Sequence, residues 1–365
     1  MDKSGVDQSR VDHVLPSGVN RLVLIDGNAI LHRAYHALPP LTAPDGSLVN
    51  AVYGFTSILI KLFTDLKPTH LAVAFDRPEP TFRKELYKDY QAKRPEMEEG
   101  LSSQIPKVQD VVRAFGIPIY DAAGFEADDV IGTLAKQATD QHMIKEHEQH
   151  MKKSSCVHHV PQSRVDQTPM QVVIVSGDRD LLQLVKDDRI LVFMPTKGLS
   201  EGKLFGQKDV EEKMGVAPDL IPDLKALMGD ASDNYPGVTG IGPKTAIGLL
   251  ATFKNVEALY KAIHGNDKRL QGVSEAIVLK LQDGIEAAKL SKDLATIRTN
   301  APVDFDEEQA QIETLDTLNV RAKLAQYHFP SLIKRLAGGE AMPKETKKIK
   351  EKKPKEKQTE QQELF

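Results

Sequence analysis

The feature that most constrains the fold is a set of short apolar runs, each followed closely by an acidic residue. RLVLI precedes Asp26, THLAVAF precedes Asp76, and QVVIVSG precedes Asp178 and Asp180. Apolar runs of this length, bounded by Gly and Asp, are typical of buried parallel strands. Because ligands of open α/β sheets bind beyond the carboxyl ends of the strands, we expect these carboxylates to meet at one rim of the sheet.

Two further acidic clusters strengthen the case for a metal site. GFEADD contains Glu126, Asp128 and Asp129, and GDASDN contains Asp230 and Asp233. Any one of these residues alone would be explained equally well as a helix cap, but three acids in four positions serve capping poorly. Clustered carboxylates repel one another unless a cation lies among them. Oxygen ligands without clustered cysteines favour Mg²⁺ or Mn²⁺, and two such ions suit phosphodiester hydrolysis.

The composition predicts a globular protein whose main part has a negative net charge and whose C-terminal segment has a positive one. The 365 residues are 40% hydrophobic and carry a net charge of -4, which combines +3 from Lys344 to Phe365 with -7 from the rest. No apolar run approaches the ~20 residues that span a bilayer, and residues 1–20 lack the apolar segment of a signal peptide. The single cysteine, Cys156, excludes an intrachain disulfide framework and fits a reducing cytosol. We therefore expect a cytoplasmic protein with no membrane contact.

The hydrophobic pattern predicts four successive parts of the chain. They are a flexible leader over 1–20, an α/β catalytic domain over 21–205, a helical subdomain over 206–338 and a disordered Lys-rich tail over 339–365. In the first domain we predict a helix over 51–66. The strands are expected over 21–26, 69–75, 117–120, 171–176 and 190–194.

Two segments interrupt the alternation of strands and helices. Residues 77–110, approximately, are aromatic and basic and indicate an excursion from the sheet. Residues 142–170, approximately, are polar and predict a loop insertion. The insertion also contains possible ligands of a transition metal, so a metal site is the alternative to a plain surface loop. Those ligands are His142, His147, His150, Cys156, His158 and His159.

The segment GVTGIGPKTA, residues 237–246, predicts a contact with phosphate. It is not a P-loop, because Pro243 separates Gly242 from Lys244, and it is not a dinucleotide fingerprint, because Thr245 holds the last Gly position. A helix, a Gly-rich hairpin and a second helix fit the pattern better. Backbone N–H groups there, with Lys244 nearby, can hold a duplex phosphate without reading bases. An ordinary turn between helices is the alternative.

In their order along the chain, these motifs resemble the 5′-to-3′ exonuclease and flap endonuclease family, and most closely the 5′-nuclease domain of bacterial DNA polymerase I. The resemblance runs from about Arg21 to about Leu336. It implies a PIN-like α/β core with a parallel sheet, a helical arch over about 77–110 that admits single-stranded 5′ ends, and a helix-three-turn-helix that binds duplex DNA, with K⁺ as a candidate ion. It rests on LIDGNAILHRAYHA, AVAFDRPEPTFRKELYKDY, GFEADDVIGTLA, VSGDRDLLQLV, LMGDASDNYPGVTGIGPKTA and LATIRT.

The resemblance also assigns the metal and duplex-binding residues. The family's metal ligands match Asp26, Asp76, Glu126, Asp128, Asp129, Asp178, Asp180, Asp230 and Asp233. The expected duplex contacts are Gly237, Gly240, Gly242, Lys244 and Thr245. A non-catalytic junction binder on the same fold would have lost carboxylates, and a short PIN-type ribonuclease would lack the arch and the duplex-binding hairpin.

The arch segment carries the remaining candidates. Arg83 and Arg94 match arginines of the family, and we expect them to be catalytic. Tyr87, Lys88 and Tyr90 suit stacking on bases and attraction of a single strand. A solvated amphipathic helix is the alternative, but it explains the lysines better than the tyrosines.

One position departs from the family. Relatives commonly carry Tyr-Lys where this chain has Tyr90-Gln91, and that lysine is thought to orient or stabilise the scissile phosphate. Lys93 or Lys88 is expected to substitute for it. We therefore predict that Lys93→Ala slows cleavage more than Lys88→Ala.

The last residues, QQELF, resemble the Gln-x-x-Leu-Phe peptides that bind the bacterial sliding clamp, which makes Gln361, Leu364 and Phe365 candidate contacts. As a whole, the sequence predicts a stand-alone, structure-specific 5′ nuclease. It would use metal-activated water to hydrolyse DNA, and RNA primer, near junctions between a 5′ single strand and duplex. The expected role is removal of 5′ flaps in replication and repair, by a nucleoid-associated monomer.

Overall fold

The computed structural model describes residues 18–153, 170–196 and 201–338. Residues 1–17 of the predicted leader and the Lys-rich tail, with the clamp candidates Gln361, Leu364 and Phe365, lie outside the described residues. The side chains of the His-rich segment and of Cys156 also lie outside them. In the described chain the strands are β1 Arg21–Asp26, β2 His70–Ala74, β3 Ile119–Tyr120, β4 Gln171–Val175, β5 Ile190–Pro195 and β6 Gly202–Phe205.

These strands form one sheet in the order β3-β2-β1-β4-β5-β6. The first five are parallel, and β6 runs antiparallel to β5. In the central register, Leu24 of β1 lies between Ala72 of β2 and Ile174 of β4. The three central strands therefore end close together, as the apolar runs predicted.

Helices surround the sheet and continue beyond its last strand. Up to β4 they are α1 Gly27–Ala37, α2 Asn50–Leu66, α3 Phe82–Leu86, α4 Glu99–Ser102, α5 Ile105–Ala114 and α6 Ala127–Lys153. After β6 they are α7 Gln207–Met214, α8 Ile221–Met228, α9 Pro243–Phe253, α10 Val256–His264, α11 Glu275–Asp283, α12 Ile285–Ala295, α13 Glu307–Ala310, α14 Leu318–Gln326 and α15 Pro330–Leu336. Within the described residues, no helix is long and apolar enough to cross a membrane.

Both faces of the sheet are buried, which explains why the strand sequences are continuously apolar. Leu22 and Leu24 of β1 face a core shared with α6 and with α8 to α10. Val23 and Ile25 face the opposite core, to which α1, α2 and α5 contribute. The predicted boundary at 205/206 falls between β6 and α7, yet α14 and α15 return to this second core. The helices after β6 therefore do not form a separate body.

Two predicted segments differ from the structure. Helix α6 continues to Lys153, so residues 142–153 are helical where we predicted a loop. The arch segment contains only the short α3 and α4 before α5, and residues 88–93 form turns. Gln91 has a φ of 54°, which is a left-handed conformation and is incompatible with a right-handed helix. Pro95 follows shortly after it and also disfavours a continuous helix.

Candidate metal centre

The ends of β1 and β4 are joined by a hydrogen-bonded serine. Asp26 begins α1 and accepts a hydrogen bond from the Ala29 N–H at 2.9 Å. The Ser176 hydroxyl donates to the other oxygen of Asp26 at 2.7 Å and accepts the Asp178 N–H at 3.0 Å. Asp178 in turn accepts the Asp180 N–H at 2.8 Å. Sequence reasoning missed Ser176, whose only signal was its place at the end of an apolar run.

The end of β2 is linked to the first turn of α6. One Asp76 carboxylate oxygen accepts the Ala127 N–H at 2.8 Å, and the Asp76 N–H donates to Asn28 Oδ1 at 3.1 Å. Asp128 and Glu126 therefore face the same space as the acids of β1 and β4. A cavity of about 720 Å³ lies there, lined among others by Asp26, Asp76, Glu126, Asp128, Asp178, Asp180 and Asp233. Seven of the nine predicted metal ligands thus share one cavity.

The second half of the centre lies where the acids after β4 meet the loop after α8. One oxygen each of Asp180, Asp230 and Asp233 lies within 4.8 Å of the others. The buried Lys225 ammonium, from α8, donates to both Asp180 and Asp230. Ser232 donates to Asp230 through its N–H at 2.7 Å and through its hydroxyl. Asp230 does not belong to the described lining of the cavity, but it contacts that lining through this cluster.

Asp129 is not placed to bind a metal, which corrects the prediction for this residue. The side chain is fully buried, and Arg83 donates to both of its oxygens, at 2.6 and 2.9 Å. The N–H groups of Arg298 and Glu126 also donate to it, at 2.8 and 3.1 Å. Four donors therefore occupy the carboxylate. Arg83 itself is 3% exposed and also donates to the carbonyl of Leu294, so it joins elements of the fold.

Burial gives the cavity acids unusual pKa values. Desolvation raises the pKa of Asp26 to about 7 and that of Glu126 to about 7, and nearby carboxylates add to both increases. Burial and the neighbouring Asp178 raise the pKa of Asp128 well above its ordinary value. For Asp180, burial raises the pKa to about 6 although Lys225 opposes the increase. Arg83 beside Glu126 and Lys225 beside Asp180 offset only part of these increases in pKa. An all-oxygen donor set of this kind fits Mg²⁺ or Mn²⁺.

The arch tyrosines are part of the core in this structure. Tyr90 is 4% exposed, its ring is stacked on Tyr235 at 6.4 Å between centroids, and its hydroxyl donates to Glu126 at 3.2 Å. Tyr87 packs half-buried against the same cluster. The prediction that Tyr90 stacks on bases is therefore not supported, because its ring has no free face of the required size.

Two of the three cations that we expected to be catalytic, Arg83 and Arg94, line the cavity, and Lys93 does not. Among the described residues, the lining also includes Arg77 and Lys84 but not Lys88, and both Lys88 and Lys93 are exposed. Arg83 lies 3.4 Å from the cavity acid Glu126. Arg94 donates to Asp233 at 2.8 Å. Gln91, in the same turn, lines the cavity, and its N–H donates to the Asp233 carbonyl at 2.9 Å.

The Gly-rich hairpin lies between α8 and α9. Gly240 and Gly242 are exposed, Thr245 is half-buried, and Lys244 is exposed in the first turn of α9. These positions are accessible to a phosphate. Gly237 differs, because it is buried with a φ of 60° and an added Cβ would lie 2.1 Å from the Gly229 nitrogen. Its role is close backbone packing.

Comparison with known families covers most of the described chain. Residues 21–147 match the family described as 5′-3′ exonuclease, N-terminal resolvase-like domain. Residues 216–318 match the family described as 5′-3′ exonuclease, C-terminal SAM fold. The predicted fold class, a PIN-like parallel sheet with a helical subdomain, is thereby confirmed.

Curated relatives are longer than this chain. DNA polymerase I of Bacillus subtilis (strain 168) is 37% identical over 317 residues, which make up 87% of this chain and 32% of that protein. DNA polymerase I of Chloroflexus aurantiacus is 38% identical over 322 residues, or 86% of this chain and 30% of that protein. The chain thus spans about a third of the length of the relatives that it matches.

Among solved structures, one similar fold is that of a bacteriophage T5 flap endonuclease variant in a pseudo-enzyme-product complex with DNA and metal ions. The TM-score is 0.56 at 18% identity, and the match covers 87% of this chain and 98% of that one. At this identity the likeness shows the fold alone.

Proposed function

The chain belongs to the 5′-3′ exonuclease family, and from this premise we propose that it is a metal-dependent, structure-specific 5′ nuclease. The observation that carries the proposal is the carboxylate cavity at the strand ends. Acids from β1, β2, β4 and α6 meet there with Asp233 from the loop after α8. Bound Mg²⁺ or Mn²⁺ would supply a nucleophilic water and neutralise the charge that develops on the phosphate.

The residues of the chain would hold these ions in two groups. Asp26, Asp76, Asp128 and Asp178, which all line the cavity, would hold the first ion at the strand ends. Asp180, Asp230 and Asp233 form the second group, whose oxygens are close enough to share one ion. Ser176 would hold Asp26 and Asp178 in place through its two hydrogen bonds.

The proposed substrate is DNA with a 5′ flap, a nick or a free 5′ end, and RNA-DNA hybrid with a primer end. Arg94, Arg77 and Lys84 give the acidic cavity a cationic side that suits the strand to be cut. The exposed hairpin with Gly240, Gly242 and Lys244 would hold duplex phosphates, with K⁺ as a candidate ion there.

The proposed role is cleavage of 5′ flaps in replication and repair, in the cytoplasm. The C-terminal QQELF is proposed to bind a sliding clamp. Clamp binding that is unchanged after deletion of the last five residues would exclude that contact.

Cutting of end-labelled flap, nicked and blunt duplexes tests the proposed function. We expect cutting with Mg²⁺, none with a chelator, and a loss of about a hundredfold or more for Asp178→Asn. Asp110→Asn is the matched control, because Asp110 is an exposed acid on α5 that pairs with Arg113. Chelator-insensitive cutting, or an Asp178→Asn variant as active as the control, would refute the proposal.

A further inference from the structure

Lys225 is a buried cation inside the second group of carboxylates. It lies in α8, and its side chain is 9% exposed. Its ammonium donates to one oxygen of Asp180 and one of Asp230. Asp230 lies five residues after Lys225 in the chain, whereas Asp180 reaches it from the segment after β4. The lysine therefore joins the sheet to the helical part of the molecule.

The ammonium is bonded to two of the acids that could hold a metal ion. Asp180 and Asp230, its two partners, belong with Asp233 to the one group of possible metal ligands found among the described residues. A divalent cation bound by Asp180 and Asp230 would lie close to the ammonium, which already bonds one oxygen of each. Two cations so close together repel each other, since little water separates them.

The lysine also has a clear function without the metal. Three carboxylates with oxygens within 4.8 Å of one another would repel strongly if they were buried without a positive charge. Arg94 contacts Asp233 but neither of the other two acids. Lys225 thus supplies the charge that keeps Asp180 and Asp230 together.

We infer that Lys225 is an exchangeable counter-ion, which assembles the Asp180–Asp230 pair in the metal-free protein and is displaced when a divalent cation binds there. A lysine suits this role, because its compact ammonium is carried on a flexible four-carbon chain and can move away without a change in backbone. Lys225 then lowers the affinity of the second position relative to the first. The two ions would bind in order, first at the strand ends and then beside Asp180. The inference rests on the proposed function.

Metal binding to chelator-treated full-length protein tests the inference without any measurement of cutting. Mn²⁺ is titrated into the wild type and Lys225→Met, and binding is followed by calorimetry and by the electron paramagnetic resonance of free Mn²⁺. We expect two classes of site in the wild type. In Lys225→Met the weaker class should tighten by about tenfold or more, within the usual range of coupling between sites, while the stronger class stays unchanged.

Thermal unfolding gives a second measurement on the same samples. Without metal, Lys225→Met should unfold at a lower temperature than the wild type, because the acids have lost their counter-charge. With saturating Mn²⁺ the difference should shrink or reverse. If the Met variant does not fold without metal, Lys225→Gln, which can still donate hydrogen bonds, is titrated in its place.

Lys292→Met is the matched control. Lys292 is also a lysine bonded to two carboxylates, Asp223 at 2.8 Å and Glu257 at 2.7 Å, but it is outside the cavity lining described above. Its loss should leave both Mn²⁺ affinities unchanged. Lys225→Arg keeps the charge and should not tighten the weaker class.

Three outcomes would overturn the inference. In the first, the Mn²⁺ affinity of the weaker class is unchanged or lower in folded Lys225→Met or Lys225→Gln than in the wild type. In the second, Lys292→Met tightens Mn²⁺ binding to the weaker class as much as Lys225→Met does. In the third, the wild type has a single class of Mn²⁺ site. These three results contradict only the inference about Lys225 and are compatible with metal-dependent cutting. A wild type that binds no Mn²⁺ would refute the proposed function as well.

Discussion

Replacement of Arg83 by methionine should destabilise the fold strongly, because the guanidinium is almost fully committed to buried partners. Arg83 donates to Asp129 twice, to the Leu294 carbonyl at 2.8 Å and to the Thr296 carbonyl at 3.1 Å. Asp129 has no exposed surface. Removal of one partner of a buried pair leaves an uncompensated charge, so we expect Arg83→Met to lower the free energy of unfolding by about 3–5 kcal/mol.

The pair itself can be separated from the other bonds of Arg83 by a double-mutant cycle with Asp129→Asn. The N–H groups of Glu126 and Arg298 donate to different oxygens of Asp129, so the amide keeps only one of these two bonds when the charge is removed. The cycle cancels this loss, because it occurs in both the presence and the absence of Arg83. We expect a coupling free energy of about 2 kcal/mol between the two positions, since contacting residues of one network do not act additively. Urea unfolding in chelator, followed by far-ultraviolet circular dichroism, measures all four proteins.

An exposed arginine close in sequence provides the control. Arg77 pairs with Glu79 and Asp121, but its side chain is 40% exposed. Arg77→Met should therefore destabilise the fold much less than Arg83→Met, because water screens an exposed ion pair. If Arg83→Met costs no more than Arg77→Met and yet abolishes cutting, our structural assignment of Arg83 is wrong, and the sequence-based prediction of a catalytic arginine is preferred.

Three further predictions concern pH, backbone packing and the arch. Because burial raises the folded-state pKa of Asp26 and Glu126 to about 7, their stabilising contribution is complete below pH 4 and is lost as the pH rises through 7. Thermal scans of metal-free protein should thus show falling stability from pH 5 to 8, and Mg²⁺ should raise the melting temperature most at pH 8. Gly237→Ala should lower the free energy of unfolding in urea by more than about 2 kcal/mol, because φ is 60° and the new Cβ would lie 2.1 Å from a backbone nitrogen. Gly248→Ala is the control, because its new Cβ would enter open space on the exposed side of α9, and it should raise the free energy of unfolding by up to about 1 kcal/mol. Gln91→Lys should raise single-turnover cutting by about tenfold, because it adds a cation to the cavity lining, and an unchanged rate would refute a role for that position.

The sequence was sufficient to predict the sheet and most of the acidic site, for a local reason. Short apolar runs identify buried strands, and parallel strands bring the residues that follow them to one rim. Asp26, Asp76 and Asp178 needed no long-range information beyond this rule. The predicted strand over 171–176 differs from β4, Gln171–Val175, by a single residue at its end.

Tertiary partners explain what the sequence did not reveal. Arg83 and Asp129 are 46 positions apart, and the carbonyl of Leu294 is 211 positions from Arg83. No spacing rule joins such residues, so both were assigned to the chemistry of the site. β6 was missed because its four residues begin with glycine and are mostly exposed or half-buried, so they carry no apolar run. Lys225 was missed because one lysine in an apolar helix gives no sign that it is buried among acids.

The arch segment shows how backbone conformation, more than residue type, decides which cation reaches the site. Because the Gln91 N–H is bonded to the Asp233 carbonyl and Arg94 is bonded to the Asp233 carboxylate, the turn is held against the loop that carries a proposed metal ligand. With Tyr90 buried on Tyr235, this turn directs Gln91 and Arg94 into the cavity and leaves Lys93 at the surface. The predicted substitution by Lys93 therefore requires a different conformation of this turn, because Lys93 is exposed and does not line the cavity. Arg94 is therefore the better candidate for the cation beside the phosphate, and a metal ion on Asp233 would compete with it for the same carboxylate.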